Sequence, residues 1–355
     1  MQSTKVCFLV ESFSGGVFNL IKDAIKTLQD EYGLEFTFCI IYSVRADTPD
    51  LFEQHFDGVE FIHVQMGSSA FKKSDLGVIL KLRHLFLKQD VIHMHSSRAG
   101  FLGRLALATL RIRPRSYYSP HGFAFLRMDF SSAKRWLIWC VEYVLSKISG
   151  TGLIASGQTE YNLALKISKH TFLVTNGIHV PDHFSNTRVP IGKPLSPDFF
   201  RVVGSGRNCM QKDPDFFVCV AKQFKDKFID FTWIGDLNNA DYATGWISRD
   251  EVFNHLNSGD IYLATSLWEG LPLNGLEAMH LKLPLLVRRT SSFVDLVDHG
   301  VNGYIFDTVS DAVSHIKYLS DNPSLVVSMG ESSKKIVLSK FGIENYLNLA
   351  TLYRV

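Results

Sequence analysis

Runs of buried-type hydrophobic residues alternate along the chain with stretches of helical spacing. The first helical stretch has apolar residues at every third or fourth position from Val17 to Leu28. Seven short strands are predicted in the first half, at residues 6–10, 36–42, 61–64, 91–94, 117–119, 153–155 and 172–174. Five more are predicted in the second half, at residues 201–203, 231–234, 261–264, 285–287 and 304–306. Strands joined by helices form parallel sheets, so this pattern predicts an α/β fold.

A proline-containing stretch divides the two series of strands. Residues 180–197 hold Pro181, Pro190, Pro194 and Pro197, which is typical of a linker between domains. We therefore predict one Rossmann-like domain over residues 1–182 and a second over residues 183–340. The C-terminal segment, residues 341–355, is predicted to pack back onto the first domain. A chain of 355 residues is long enough for two domains of ordinary size.

Composition narrows the class of protein. Apolar residues make up 46% of the chain and charged residues 20%, which favours a folded globular protein. The 5 cysteines are scattered without a CxxC pair, which indicates a reduced, intracellular protein. No secretory signal and no apolar run of about 20 residues is present, so we expect a cytoplasmic location. A net charge of +2 provides no large basic field for nucleic acid.

The most informative segment is WEGLPLNGLEAM, residues 268–279. Glu269 lies at a turn and Glu277 about two helical turns later, so both carboxylates can face one ligand. Backbone N–H groups between them point out of a helix N-terminus and can bind phosphate; the candidates are Gly270, Leu271, Leu273 and Asn274. Two carboxylates for sugar and ribose hydroxyls, with amides for a diphosphate, suit a nucleotide-sugar. A surface helix with two solvated acids is the alternative.

A pair of cations lies upstream, where a predicted strand ends in Gly204-Ser205-Gly206. Arg207 and Lys212 follow on one loop, and their charge-assisted hydrogen bonds to a diphosphate would contribute about 1.5–3 kcal/mol each. A nicotinamide-binding fingerprint is disfavoured because its third glycine is missing. Asp213 and Asp215 imitate a metal-binding Asp-x-Asp pair, but a helical run follows, so Asp215 is predicted to be a helix N-cap.

Together, the two charged elements resemble those of the retaining family-4 glycosyltransferases of the GT-B type. The donor domain of that family carries a Gly-Arg-x4-Lys element and then a Glu-x7-Glu element, in this order and spacing. The resemblance implies two Rossmann-like domains facing each other across a cleft. It implies transfer of a sugar from a nucleotide-diphosphate donor, with UDP the expected nucleotide, to a carbohydrate or lipid-linked acceptor. The relatives build bacterial lipopolysaccharide, capsule or exopolysaccharide, and most need no metal or other cofactor.

The resemblance also implies roles for individual residues. Arg207 and Lys212 would stabilise the departing diphosphate, Glu269 would hold the hydroxyls of the donor sugar, and Glu277 would bind the ribose. Many relatives have glycine where this chain has Pro272, so one backbone N–H that could contact the ligand is missing.

Further candidates lie at the ends of predicted strands in the N-terminal half, where ligands bind in such sheets. Gly15 and Gly16 open the first helix and allow close backbone approach to a ligand, although a plain tight turn is the alternative. His95 completes a His-x-His pair whose rings share one face, as in a metal site, but no third ligand is obvious. His121 lies in a Pro-His-Gly loop. The resemblance places His95 on the acceptor side, and His121 and the glycine loop at the donor sugar.

Basic and aromatic residues cluster in the N-terminal half. One short loop and the region after it contain Arg111, Arg113, Arg115, Phe123, Phe125, Arg127, Phe130, Lys134, Arg135, Trp136 and Trp139. Such a surface suits peripheral docking to an anionic membrane. Alternatively, residues 136–148 form an ordinary core helix.

Two other functions stay open at this point. One is a GT-B isomerase of the UDP-sugar 2-epimerase kind, and the other is a nucleotide-sugar binding protein without catalysis. The epimerase would need further carboxylates acting at C2 of the sugar, and the sequence places none. Incubation of the donor without an acceptor would yield an epimer from the isomerase and almost nothing from a transferase.

Overall fold

The computed structural model describes residues 3–46, 48–67, 71–181, 184, 199–224, 228–238, 240–290 and 292–354. The chain forms two compact units: Met1–Gly177 with Ile343–Val355, and Ile178–Gly342. The first division therefore follows Gly177, whereas the predicted boundary follows residue 182. Of the predicted linker, Pro190, Pro194 and Pro197 lie outside the described residues.

The first unit is built on one parallel sheet of seven strands. Its order is β3-β2-β1-β4-β5-β6-β7, with β1 Thr4–Val10, β2 Phe36–Tyr42, β3 Val59–His63, β4 Val91–His95, β5 Arg115–Ser119, β6 Gly152–Ala155 and β7 Thr171–Leu173. All seven predicted strands are confirmed, with small differences at their ends. The last residue of β4 is His95, one position beyond the predicted end, so His95 lies at the carboxyl edge of the sheet.

Helices cover both faces of this sheet, which explains why its strands read as continuous apolar runs. They are α1 Gly15–Tyr32, α2 Ser74–Phe86, α3 Ser97–Ala108, α4 Ser132–Ser149 and α5 Gln158–Leu165. Helix α1 buries its apolar stripe against β1 and β2. Helices α2 and α3 bury theirs on the opposite face, and α3 packs between α2 and α4.

The second unit contains a smaller parallel sheet of order β12-β11-β10-β8-β9. Its strands are β8 Phe200–Ser205, β9 Ile229–Ile234, β10 Ile261–Ala264, β11 Leu285–Arg288 and β12 Gly303–Phe306. The five predicted strands are confirmed. The helices are α6 Pro214–Ala221, α7 Arg249–Ser258, α8 Leu273–His280, α9 Val309–Ser320 and α10 Pro323–Lys340.

The N-cap of α6 differs from the prediction. Asp213 occupies it in the left-handed region, with φ of 45°, and Pro214 is the first helical residue. Asp215 lies in the first turn, so its assignment as N-cap is wrong. The Asp213 carboxylate does not cap the helix, because it accepts a hydrogen bond from Arg288 Nη1 at 2.5 Å.

The C-terminal segment packs in the core of the first unit. It consists of a short turn, Ile343–Tyr346, and helix α11, Leu347–Tyr353. Tyr346, Leu349 and Tyr353 join the cluster that α1 buries, and the Tyr346 hydroxyl donates to the Gly177 carbonyl at 3.0 Å. Within the described ranges, no helix combines the length and apolarity that crossing a bilayer would require.

Candidate active site

The loop after β8 holds Lys212 against the end of the sheet. Gly206 has φ of 154°, and a Cβ there would lie 2.7 Å from Lys212 Cγ, so only glycine leaves room for the lysine stem. The Gly206 N–H donates to the Ile234 carbonyl at 3.1 Å, and Trp233 Nε1 donates to the Gly206 carbonyl at 3.0 Å. These hydrogen bonds hold the Gly206 backbone against the stem of the Lys212 side chain.

The two charged elements of the sequence meet at one ion pair. Lys212 Nζ donates to Glu269 Oε1 at 2.6 Å, and Gln211 Nε2 donates to Glu269 Oε2 at 3.1 Å. The Glu269 residue is only 8% exposed, so this pair is largely screened from water. Thr265 Oγ1 donates to the Lys212 carbonyl at 2.7 Å, and the Leu267 N–H donates to the Gln211 carbonyl at 2.8 Å. The loop after β10 therefore holds in place the loop after β8, which carries Gln211 and Lys212.

Arg207 differs from Lys212. Its residue is exposed, and in the part of the chain that the structure describes its guanidinium makes no hydrogen bond or ion pair. The two predicted cations are thus one fixed ammonium and one guanidinium in solvent.

Helix α8 begins directly after the Glu269 loop. Leu273 and Asn274 are its first residues, so their backbone N–H groups have no acceptor within the helix. The Pro272 carbonyl accepts from the N–H groups of Gly275 and Leu276 at 3.1 and 3.3 Å. The N–H groups of Leu273 and Asn274 are those for which the sequence predicts anion binding, and that role stays a prediction.

The side chains of Leu271 and Asn274 make contacts that stabilise the second unit. Leu271 is buried in the core of the second unit. Asn274 Nδ2 donates to the Tyr262 hydroxyl at 2.7 Å and lies 3.1 Å from Ser205 Oγ. At Leu271, Leu273 and Asn274 it is therefore the backbone that is suited to contact a ligand, and the Asn274 side chain ties α8 to the ends of β8 and β10.

The second carboxylate has a partner that the sequence did not predict. Arg249 Nη2, from α7, donates to Glu277 Oε1 at 2.9 Å. Glu277 is 9% exposed, while the Arg249 side chain remains 43% exposed and lies over the Phe253 ring. No spacing rule links two residues on different helices, so the sequence carried no signal for this pair.

Three histidines form a stack in the first unit. His95 Nδ1 lies 2.9 Å from His121 Nε2, and the two rings are stacked with 5.2 Å between centroids. His93 contacts the Tyr353 hydroxyl at 2.6 Å through Nδ1 and Ser119 Oγ at 2.8 Å through Nε2. Burial lowers the pKa of His93 to about 3 and that of His121 to about 4, and holds the pKa of His95 well below its usual range. All three rings are therefore neutral at pH 7.

A buried carboxylate shapes the loop that carries His121. His121 and Gly122 both have positive φ, 52° and 97°. The Gly122 N–H donates to Glu160 Oε1 at 2.7 Å, and Ser156 donates to Glu160 Oε2 through both its N–H and its hydroxyl at 2.8 Å. Glu160 was not predicted as a site residue, because its acceptor role depends on a contact distant in sequence.

The loop before α1 presents exposed backbone. Gly15 starts the helix with φ of 52°, and a Cβ there would meet nothing within 4 Å. Glycine is thus needed at this position for its backbone conformation. Gly15 and Gly16 are both exposed and α1 has no acid in its first turn, so its terminal N–H groups are open to an anion.

Among the described residues, no group of three or more His, Cys, Asp or Glu side chains is arranged so that it could hold a metal ion. In the His-x-His pair, both ring nitrogens of His93 already have hydrogen-bond partners.

Comparison with known proteins agrees with this geometry. A glycosyl transferase 4-like domain model matches residues 21–168, and a glycosyl transferases group 1 model matches residues 206–336. The chain is 26% identical over 298 residues to the UDP-Gal:alpha-D-GlcNAc-diphosphoundecaprenol alpha-1,3-galactosyltransferase of Escherichia coli, covering 74% of this chain and 75% of that one. It is 26% identical over 257 residues to an uncharacterized 41.2 kDa protein in the cps region of Klebsiella pneumoniae, covering 67% and 71%.

The fold is likewise found among solved structures. Anabaena Alr3699/HepE, solved in complex with UDP and glucose, superposes with a TM-score of 0.76 at 19% identity over 98% of each chain. The two family models fall one in each unit and together cover most of the sequence. Two Rossmann-like domains with these matches show the GT-B architecture. The chain therefore has the GT-B fold and belongs to the glycosyltransferases, with a glycosyl transferase 4-like domain in its first unit and a glycosyl transferases group 1 domain in its second.

Proposed function

We propose that this glycosyltransferase moves a sugar from a UDP-linked donor to a carbohydrate or lipid-linked hydroxyl, with retention of anomeric configuration. The observation that carries the proposal is the Lys212–Glu269 ion pair at 2.6 Å, beside the free amides of α8. The ion pair joins a cation to an acid, and the loop that carries the acid leads into the first-turn amides of α8, which supports a site for a sugar diphosphate. The Escherichia coli relative is named for a UDP-sugar donor and a diphosphoundecaprenol-linked acceptor, and HepE was solved with UDP. Both names support a UDP donor, and the name of the Escherichia coli relative supports a lipid-linked acceptor, as expected for synthesis of a surface polysaccharide.

Lys212 and Arg207 act on the leaving group. The bond between sugar C1 and the diphosphate oxygen breaks, the acceptor oxygen forms the new bond to C1, and the acceptor proton passes to the departing diphosphate. Attack from the face that the diphosphate leaves would retain the configuration without a covalent intermediate. Lys212 is preorganised where negative charge grows, which is the most effective position for electrostatic stabilisation. Exposed Arg207 would close on the diphosphate when it binds.

The two glutamates bind hydroxyl groups. Glu269 keeps lone pairs beyond those used by Lys212 and Gln211, so sugar hydroxyls can donate to it. Glu277 is held by Arg249 and accepts the ribose hydroxyls. His121 and the loop at Gly15 and Gly16 bind the sugar and phosphate edge, and His95 supports His121. No step in this reaction requires a metal or another cofactor.

The donor experiment tests this function. A panel of nucleotide-sugars is screened for thermal stabilisation and for release of the nucleotide diphosphate, with and without a lipid-linked glycan acceptor. We expect one UDP-sugar to stabilise the protein and to be consumed rapidly only with acceptor. Conversion of the donor to an epimer without acceptor would replace the proposal with the isomerase, and stabilisation without turnover under any condition would indicate a binding protein.

Peripheral contact with an anionic membrane also fits the first unit. Helix α4 turns an apolar stripe to solvent: Trp136, Leu137, Val144 and Ile148 are 67%, 57%, 52% and 44% exposed. Its inward face carries Glu142, Leu145, Ser146 and Ser149, and Ile138 and Trp139 also pack against the core. Helix α4 thus has one face packed on the core and one exposed apolar face, and the choice between a core helix and a membrane surface stays open.

The exposed charges of helices α2, α3 and α4 favour an anionic partner. The acids of α2, α3 and α4 are Asp75 and Glu142, and both are buried in ion pairs with α3, to Arg98 at 2.7 Å and to Arg104 at 2.6 Å. The remaining cations face outward, among them Lys81, Arg83, Lys134 and Lys147. Exposed apolar side chains on a surface with exposed cations, such as Lys134 and Lys147 on α4, are what an anionic bilayer binds.

Vesicle sedimentation tests the membrane contact. Wild-type protein should bind vesicles that contain phosphatidylglycerol, bind pure phosphatidylcholine weakly, and lose binding in high salt. The double change Lys134→Glu with Trp136→Ser should weaken binding about 10-fold or more, at roughly 1 kcal/mol per charge. The matched control is Lys335→Glu with Leu338→Ser on α10, which removes an exposed lysine and leucine from the second unit. Equal loss in both double variants would exclude α4 as the membrane face.

A further inference from the structure

His95 lies at the centre of the histidine stack in the first unit. It is 1% exposed, and its ring centroid is 4.1 Å from that of His93, 5.2 Å from that of His121 and 5.4 Å from that of Phe8. One ring nitrogen, Nδ1, contacts His121 Nε2 at 2.9 Å. The other, Nε2, is buried and has no hydrogen-bond partner within the described ranges. This orphan nitrogen determines which way the shared proton points.

A neutral imidazole carries one proton, so the contact allows two assignments. In the first, His95 Nδ1–H donates to His121 Nε2, and the orphan His95 Nε2 is a bare lone pair. In the second, His121 Nε2–H donates to His95 Nδ1, and the orphan is then a buried N–H with no acceptor. Unpaired buried N–H groups are the rarer defect in proteins, so the first assignment is favoured.

The first assignment has a consequence for the neighbouring ring. If His121 Nε2 accepts a hydrogen bond, then the proton of a neutral His121 is on Nδ1. Within the described part of the chain, His121 Nδ1 has no hydrogen-bond partner and is not among the buried orphan atoms. His121 Nδ1 is therefore not fully buried, and in this assignment it carries a proton that a ligand oxygen can accept.

We propose that His95 is a positioning residue that fixes the tautomer of His121, so that His121 presents Nδ1–H as a neutral donor to a ligand oxygen. The identity of that oxygen rests on the proposed function, which makes it a hydroxyl or ring oxygen of the donor sugar. A donor that is neutral rather than cationic recognises a sugar oxygen without drawing the diphosphate towards itself.

The residues around His95 and His121 keep both rings neutral and hold them in position. The titratable groups around His95 are His93 and His121, and His93 is in turn held by the Tyr353 hydroxyl from the C-terminal helix. Glu160 holds the backbone of the His121 loop through the Gly122 N–H. The C-terminal segment thus supports the site by holding His93, on which His95 stacks.

Three substitutions at position 95 separate a donor, an acceptor and an inert ring. In His95→Asn the amide nitrogen stands near the former Nδ1 and can still donate to His121. In His95→Asp a carboxylate can only accept, which draws the His121 proton to Nε2 and raises the pKa of His121. In His95→Phe the ring shape stays but no polar group faces His121, so neither tautomer is imposed.

Long-range proton–nitrogen NMR of the histidine rings, in the full-length protein without substrate, reads the tautomer directly. We expect the His121 proton on Nδ1 in wild type and in His95→Asn, on Nε2 in His95→Asp, and distributed over both in His95→Phe. Wild-type protein with the His121 proton on Nε2 would overturn the proposal, and this result needs no variant to fold.

Turnover separates the positioning role from the function it serves. We expect His95→Asn to keep activity within a few-fold of wild type, and His95→Asp and His95→Phe to lose about 10-fold or more, with folding checked by thermal unfolding. Equal losses in all three variants would reduce His95 to a packing residue and would overturn the proposal. If the tautomers behave as expected but His121→Ala leaves turnover unchanged, the sugar contact of the proposed function fails while the positioning of His121 stands.

Discussion

In the second unit Lys212 and Glu269 carry opposite charges 2.6 Å apart, whereas in the first unit His95 and His121 share a hydrogen bond as neutral rings 2.9 Å apart. Both pairs are largely shielded from water, but burial acts on them differently. A buried ion pair keeps its charges only because each partner satisfies the other, while buried imidazoles stay neutral. In the proposed function the charged pair of the second unit would serve the diphosphate, and the neutral pair of the first unit would serve the sugar.

The two units also differ in how they hold these groups. Lys212 is fixed by contacts among loops at adjacent strand ends, through Gly206, Thr265 and Glu269. The histidine stack is fixed from a distance, because Tyr353 arrives from the C-terminal helix to bind His93. Variants that remove charge, space or a hydrogen bond should therefore have distinct effects in the two units.

The largest effect is expected from Lys212→Ala. Removing a preorganised cation from the departing diphosphate should lower turnover ~100-fold, at about 3 kcal/mol of transition-state stabilisation. Steady-state turnover of the UDP-sugar measures it. The control is Lys222→Ala, an exposed lysine just after α6. If the two alanine variants were equally active while both stayed folded, the diphosphate role of Lys212 would be wrong.

A smaller effect is expected from Gly206→Ala, which leaves every charge in place. The new Cβ would lie 2.7 Å from Lys212 Cγ and must displace the ammonium, so turnover should fall about 10-fold or more. The control is Gly300→Ala, where φ is 81° and nothing lies within 4 Å. That change should lower the free energy of unfolding by about 1–2 kcal/mol through backbone strain and leave turnover per folded molecule unchanged. Normal activity in Gly206→Ala would show that the position of Lys212 is not critical.

The substitution Glu277→Gln tests whether Glu277 binds the ribose, through the preference of the protein for UDP over 2′-deoxy-UDP. Wild type should bind UDP about 10-fold more tightly than 2′-deoxy-UDP, because a hydroxyl that donates to a carboxylate contributes about 1.5–3 kcal/mol. Calorimetric titration of both nucleotides should show that Glu277→Gln loses most of this preference. Glu331→Gln, an exposed glutamate paired with Lys282, serves as control. If Glu277→Gln kept the preference for UDP over 2′-deoxy-UDP, Glu277 would not be the residue that binds the ribose.

The smallest effect concerns the histidines and pH. Burial lowers the pKa of His93 to about 3 and that of His121 to about 4, below the value of about 6.5 in an unfolded chain. Between these values the unfolded chain binds more protons, so stability is fully present above pH 6.5 and declines as pH falls towards 4. Each histidine can contribute at most about 1.4 kcal/mol per pH unit.

His121→Asn should flatten this decline, because it removes one titrating ring. Denaturant unfolding between pH 7 and pH 4.5 measures the slope in both proteins. Since His280 of the second unit also has a pKa lowered to about 4 by burial, part of the slope should persist in the variant. An unchanged slope would mean that His121 is not buried as a neutral ring.

The sequence predicted the framework and most charged residues of the site because those signals are local. Strand runs, the Gly-Arg-x4-Lys element and the Glu-x7-Glu element can each be recognised within a short window. The partners that arrive from elsewhere were missed, namely Arg249 for Glu277 and Tyr353 for His93, which is 260 residues away in sequence. The N-cap of α6 was wrongly predicted at Asp215. The hydrogen bond from Arg288 to Asp213 is a tertiary contact, which the local sequence pattern does not reveal.

Binding of UDP compared with uridine tests most directly whether Lys212 binds the diphosphate of a nucleotide-sugar whose hydroxyl groups are held by Glu269 and Glu277. UDP and uridine differ by the diphosphate, so calorimetric titration of wild type and Lys212→Ala with both ligands measures the contribution of the diphosphate to binding. The account predicts that the substitution weakens UDP at least 10-fold and leaves uridine unchanged. Equal weakening of both ligands, or of neither, would contradict it.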